Sequence, residues 1–170
     1  HLAFVFSRGT PTVPNVKSQF FLDGQSVPVC SPTLLQTLGR KPKTDTDILQ
    51  LGLLHDGDSC GWRNWLQGAD ARDQAADVGP TFEDFNLLRV AALSGQGVAL
   101  CPLAMVRSDL EAGSLIQISE RTMTQGSDYF LMSAASSNPQ IMRKAQLFKD
   151  WAMAEREIEF SIPDDGRPLK

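Results

Sequence analysis

Histidine, cysteine and long apolar runs are all scarce in this sequence, and each scarcity closes a class of function. His1 and His55 are the only histidines, which leaves little for metal ligation or a histidine-based triad. Cys30, Cys60 and Cys101 lie far apart with no Cys-x-x-Cys pair. No disulfide framework or zinc site is expected, and the usage fits a reducing, cytoplasmic setting. No run of about 18 apolar residues occurs, so no membrane span and no membrane partner are expected. Gly-x-Ser-x-Gly, a Walker loop, Gly-x-Gly-x-x-Gly and His-Glu-x-x-His are all missing, so an enzyme is not expected, and neither is a cofactor or a metal. A cationic excess is missing too: 16 Lys and Arg stand against 20 Asp and Glu, for a formal charge of −4. That balance argues against direct nucleic-acid binding by this chain. The short clusters Arg40-Lys41-Pro42-Lys43 and Arg143-Lys144 read as solvated surface.

What is present suits a layered α/β chain. The 170 residues are 42% apolar, enough for one domain or two small lobes. Short apolar runs at Leu2–Phe6, Val27–Cys30, Leu49–Leu54, Val98–Leu103, Leu115–Ile118 and Tyr129–Ala135 have the length of buried strands. Helical patterns separate most of them, which predicts parallel strands. Ser31-Pro32 reads as a helix start that stops at Gly39, Asp84 as the cap of a helix reaching Gly95, and Asn138-Pro139 as the start of the last helix. In that last helix Ile141, Ala145, Phe148 and Ala152 make one stripe, flanked by Leu147, Trp151 and Ile158. The polar tail Ser161–Lys170 is expected to fray. The start His1-Leu2-Ala3-Phe4 has no Met and no charged leader, and reads as mid-strand, so the chain is expected to begin inside a larger protein.

The densest signal is Ala91-Ala92-Leu93-Ser94-Gly95-Gln96-Gly97-Val98-Ala99-Leu100-Cys101-Pro102. Gly95 suits the left-handed end of a helix, a buried strand follows from Gly97, and Pro102 starts the next helix. Ligands of open α/β sheets sit at such strand carboxyl ends, near helix N-termini. An ordinary helix–strand unit with no ligand explains the same pattern.

The order of "LLHDGDSCGWRNWLQGA", "GPTFEDFNLLRVAALSGQGVALCPLAMVRSDLEAGSLIQI" and "AQLFKDWAMAE" resembles the effector-binding domain of LysR-type transcriptional regulators. Trp62-x-x-Trp65-Leu66, Gly79-Pro80-x-Phe82 and the segment "SQFFLDGQSVPVCSPTLL" are most similar to the glycine-cleavage-activator branch. The resemblance covers residues 1 to about 155. It implies a type 2 periplasmic-binding-protein-like fold, with two Rossmann-like lobes, crossing hinge strands and a small-molecule cleft. Lobe I would comprise 1–25 and 129–160 and be partly missing, lobe II would comprise 26–128, and 161–170 would be a tail. The winged helix-turn-helix of such regulators would lie before His1, so DNA is contacted only through that absent part. A homodimer or homotetramer is implied, with Ala104–Ala112 and Leu115–Ile118 as candidate contacts. The same fold also serves transporter solute-binding proteins, which is the alternative reading.

The implied effector is a small molecule, with carboxylates among the expected classes, and eight residues are candidates to hold it. Ser7 and Arg8 follow the first strand; where many relatives place an acid and an arginine, this chain has His1 and Val5, so Arg8 is the nearby cation. Arg8 is otherwise a solvated loop arginine. Ser59 either donates to a ligand or caps the Trp62/Trp65 helix, whose tryptophans read as packing. Asp84 is a cap first, between Phe82 and Phe85, which wall an apolar pocket or belong to the core. Pro102 sits at a strand end, and Tyr129 offers a hydroxyl where the second crossing strand passes. The cysteines read as small buried hydrophobes, with redox sensing by Cys101 at a helix N-terminus as the other option.

Overall fold

The computed structural model describes residues 2–39, 41–66, 74–123 and 126–160. His1, Arg40, the Ile158 side chain and the tail lie outside the described residues. The chain divides into two compact units, His1–Asp23 with Gly126–Lys170, and Gly24–Gln125. Strands β1 (Leu2–Arg8) and β2 (Val16–Leu22) open the first unit. The second unit runs through β3 (Ser26–Cys30), α1 (Pro32–Leu38), α2 (Asp45–Leu49), β4 (Leu53–Asp56) and α3 (Cys60–Leu66). A short 3-10 turn (Gln74–Asp77), β5 (Thr81–Phe82), α4 (Phe85–Leu93), β6 (Val98–Pro102), α5 (Leu103–Glu111) and β7 (Ile116–Gln117) complete it. The chain returns to the first unit with β8 (Ser127–Ala134) and α6 (Pro139–Phe160).

Local chemistry sets the helix ends. The Ser31 side chain accepts the Leu34 N–H at 3.2 Å, Pro32 needs no donor at the first helical position, and Gly39 closes α1 at φ 65°. Asp84 accepts the Asn86 and Leu87 N–H groups at 2.7 and 3.4 Å and starts α4. The run Leu49–Leu54 is not one strand. A capping box between Thr44 and Asp47 starts α2, which takes Leu49, and Gly52 at φ 81° turns the chain into β4.

The second unit is a five-stranded sheet in the order β5-β4-β6-β3-β7. Parallel pairing holds only for β4 with β5 and β6; β3 runs antiparallel to both β6 and β7. Each sheet face has its own core. Leu53, Val98 and Leu100 pack with Ile48, Trp62, Trp65 and Leu66 on one side. Leu54, Ala99 and Cys101 pack with Leu88, Ala91, Ala92 and Val106 on the other. The tryptophans are packing residues: their indole N–H groups reach the Leu54 and Arg121 carbonyls at 3.0 and 2.9 Å. Ser26 and Met123 exchange two backbone hydrogen bonds, at 2.9 and 2.8 Å.

The first unit is an antiparallel sheet, β1-β8-β2, with α6 beside it. The expected stripe on α6 is mostly not a buried seam. Ala152 is buried, but Ile141, Phe148 and Trp151 remain 47%, 40% and 56% exposed. Phe148 and Trp151 join an aromatic row in which Phe148 lies 6.4 Å from Phe4 and 5.5 Å from Trp151 between ring centroids.

Where β4 and β6 begin, Gly97 comes close to Gly52. Val98 N–H donates to the Gly52 carbonyl at 2.8 Å, and a Cβ on Gly97 would collide with that same oxygen. Gly97→Ala is expected to cost about 2–4 kcal/mol in chemical denaturation. Gly61→Ala, in a helix with its nearest neighbour at 3.8 Å, is expected to be neutral or to stabilise by up to about 1 kcal/mol. Equal effects of the two would mean that the β4/β6 approach is not the constraint.

Candidate functional site

Three strands of the five-stranded sheet end at one edge, at Asp56, Phe82 and Pro102. Their parallel direction brings Ser59, Phe82, Asp84, Phe85 and Pro102 to that edge. The Gly57 N–H donates to Phe82 O at 2.8 Å and the Leu103 N–H to Gln25 O at 2.9 Å, which ties the loops down. Phe82 and Phe85 are half-buried against the core under α4. Asp84 is spent on its two helix N–H groups. Pro102 stands at the cap position of α5 and supplies no side-chain cap, so that helix start keeps donors to offer.

Ser59 occupies the residue before α3, but the side chain that satisfies the helix start is that of Asp58, accepting the Cys60 N–H at 2.7 Å. The Ser59 hydroxyl instead bonds Asp77, whose carboxyl is held below its usual range chiefly by the hydrogen bond from Arg63 and further by that from Ser59, against desolvation. Arg63 and Asp77 are both exposed, so this pair positions more than it stabilises. The cap role expected of Ser59 passes to its neighbour because an ionised carboxylate is the stronger acceptor.

In the three-stranded sheet Ser7, Arg8 and Tyr129 gather at one end, where Ser7 pairs with Asp128, Arg8 with Ser127 and Phe6 with Tyr129. Arg8 is the last residue of β1, not a loop residue. Strand alternation puts Arg8 and Tyr129 on one face and Ser7 on the other. The Tyr129 ring packs on Phe6 at 4.8 Å.

The cysteines divide. Cys60 is exposed, against expectation, because it begins α3 on the side away from the tryptophans. Cys30 and Cys101 are buried, and burial pushes their thiols up to about 11 and about 12. For Cys101 the charges of Asp56 and Asp109 add to the rise, against a smaller pull from Arg89. The reactive thiolate considered for Cys101 is therefore suppressed.

Comparison with known proteins decides the family. The LysR substrate binding domain matches residues 1–156. The chain belongs to the LysR substrate-binding domain family. Its mixed α/β fold is the type 2 periplasmic-binding-protein-like fold of LysR effector-binding domains. This LysR domain is 29% identical over 159 residues to the glycine cleavage system transcriptional activator of Escherichia coli, covering 93% of this chain and 50% of that protein. It is 37% identical over 89 residues to the transcriptional regulator TrpI of Pseudomonas aeruginosa, covering 52% and 30%. The chain thus spans about half the length, or less, of the curated relatives it matches. The AmpR effector binding domain from Citrobacter freundii shares the fold at TM-score 0.73 and 20% identity, over 92% of this chain and 74% of that one. The CrgA regulatory domain from Neisseria meningitidis does so at 0.65 and 20%, over 89% and 74%. These relatives are transcriptional regulators, which favours a regulator over a transporter component. Among the described residues no helix is long and apolar enough to cross a membrane, and no cluster suited to a metal is found.

Three polar features of the LysR domain escape its sequence. Arg89 grips Asp109 with two bonds of 2.6 Å, and Asp109 is buried. His55 is fully buried, and neither ring nitrogen has a hydrogen-bond partner among the described residues. Asp56 is held above the usual carboxylate range, by desolvation first and then by the Asp58 charge. A helical i-to-partner spacing across two elements, or a histidine alternating into a core, leaves no local pattern to read.

Alkylation of the native LysR domain at neutral pH is expected to label Cys60 and to spare Cys30 and Cys101, as read by peptide mass spectrometry. Rapid labelling of Cys101 would contradict its suppressed thiolate. For Asp56, a raised folded pKa means that the folded state binds the proton more tightly than the unfolded chain. Stability then falls as pH rises from the ordinary carboxylate range through the raised value. Asp56→Asn should therefore raise the melting temperature at pH 7, and the gain should vanish below about pH 4.

Proposed function

We propose that this chain is the ligand-sensing part of a bacterial, cytoplasmic LysR-type transcription factor. The match to the LysR substrate binding domain over residues 1–156 carries this reading. A small-molecule effector, with carboxylates among its proposed classes, biases the conformation of the domain; Arg8 is the candidate cation in the first unit, and the open start of α5 at Pro102 the candidate donor set in the second. Tyr129, beside Arg8 in the first unit, and Ser59, Phe82, Asp84 and Phe85 in the second are the further candidates, while Ser7 faces away from Arg8 and Tyr129. The output passes to a winged helix-turn-helix outside these residues, through which alone the protein contacts DNA. The domain is proposed to assemble as a homodimer or homotetramer through α5 and β7, and to catalyse no reaction. The alternative reading, a transporter solute-binding protein, is disfavoured because the curated relatives named above are transcriptional regulators.

The test uses the protein encoded by the whole reading frame. Its binding to upstream duplex DNA is expected to be sequence-specific and to change with one member of a panel of amino acids and small carboxylates. Calorimetry on the present chain with that ligand is expected to show Arg8→Met weakening binding by about 1.5–3 kcal/mol, the range of a charged hydrogen bond. A whole protein that binds no DNA overturns the regulator. An Arg8→Met variant with unchanged affinity removes Arg8 from the site.

A further inference from the structure

A crevice of about 410 Å³ opens in the first unit, at the other end of β8 from Arg8 and Tyr129. The starts of β2 and α6 and the end of β8 enclose it. Its position follows from the strand register. Tyr129 and Arg8 lie where β8 begins, whereas Ser133 and Ala134 close it. Five residues of extended chain separate Tyr129 from Ala134, roughly 17 Å. The volume falls in the range of small-molecule sites, about 300–1,000 Å³.

The lining has two chemistries. Met142 and Ala145 of α6 give an apolar body; Val16 and Ala134 also line the crevice, but strand alternation points their side chains to the sheet face opposite Lys17 and Ser133. Lys17 and Lys149 supply two cations from opposite walls, one on the sheet and one on the helix. Neither lysine makes an ion pair among the described residues. Asp150, next to Lys149 in sequence, accepts from the Gln146 side chain at 2.7 Å. Ser133 lies on the same sheet face as Lys17, its direct partner in the ladder, and adds a hydroxyl. The lip at Asn15 is held in the left-handed region at φ 60°, with its carbonyl accepting the Ala135 N–H at 3.2 Å. An anion with a short apolar body fits this set: the head between two ammonium groups, the body on Ala145 and Met142 of α6.

We propose that this crevice is a second ligand site, for a small amphipathic carboxylate, distinct from the effector residues at the other end of the sheet. Lys17 and Lys149 hold the carboxylate, and Ser133 donates to it. A ligand there bridges α6 to β2 and β8, and so braces the contact between the helix and its sheet.

The test is NMR titration of the present chain with phenylacetate, 3-phenylpropionate and hexanoate, each to about 10 mM, with phenylacetamide as the uncharged control. Expected are saturable shifts at Ala134, Ala145 and Met142, a Kd about tenfold weaker for phenylacetamide than for phenylacetate, and a similar loss in the Lys17→Met/Lys149→Met variant. Both lysines are solvent-reaching, and an unchanged melting temperature of the variant shows that its fold is intact. Arg8→Met should leave this binding unchanged. Three outcomes overturn the proposal: no saturable shift with any of the carboxylates, equal binding of the amide, or shifts that disappear with Arg8→Met but persist in the lysine variant. The last of these would leave the effector reading standing while removing the second site, so the two readings fail separately.

Discussion

The close approach of Gly97 to the Gly52 carbonyl is the constraint on which the five-stranded sheet depends. It allows the Val98 N–H to reach Gly52 and sets β6 beside β4 in parallel, with Leu53 opposite Val98 and Leu54 opposite Ala99. That register decides which side chains of β6 join which core. A slip of one residue would send Val98 and Leu100 to the face of Ala99 and Cys101. It also decides that Asp56 and Pro102 finish at the same edge. The placement of the candidate residues in this unit is thus inherited from two glycines at the opposite end of the strands.

Burial and charge are arranged differently at the two ends of the sheet. The end with the glycines is apolar and tight. The edge with the strand termini carries Asp56, Asp58, Glu83 and Asp84, of which Asp58 and Asp84 are consumed by helix starts. Behind it, the Arg89–Asp109 pair joins α4 to α5, and Ser114 adds a bond to the same aspartate at 3.3 Å. A buried pair of this kind orients more than it stabilises, but removing one partner strands the other. The two helices that begin at the edge are therefore fixed to each other as well as to the sheet.

Features that depend on a few consecutive residues were legible in the sequence. Ser31-Pro32, Gly39, Asp84, Gly95 and Pro102 each mark an element end, because caps and left-handed turns are local chemistry. The family was legible from the order of such segments. The division of Leu49–Leu54 was not, because an Asp stands where a capping box more often has Glu or Gln. β2 was also not read, because Val16-Lys17-Ser18-Gln19-Phe20-Phe21-Leu22 alternates poorly and bulges between Phe20 and Leu22. Strand direction belongs to pairings distant in sequence, so the antiparallel course of β3 had no local sign. The same holds for the candidate site. Arg8, Ser7 and Tyr129 were named together, but only the ladder shows that Ser7 faces away from the other two.

The reciprocal bonds between Ser26 and Met123 have a mechanical consequence. The chain passes between its two units twice, and these residues stand just inside the second unit at each passage. Pinned to each other at this point, the two passages cannot slide past one another there without breaking both bonds. Force applied to either passage reaches β3, whose five residues are all buried, and through its ladder β6, the middle strand of the sheet.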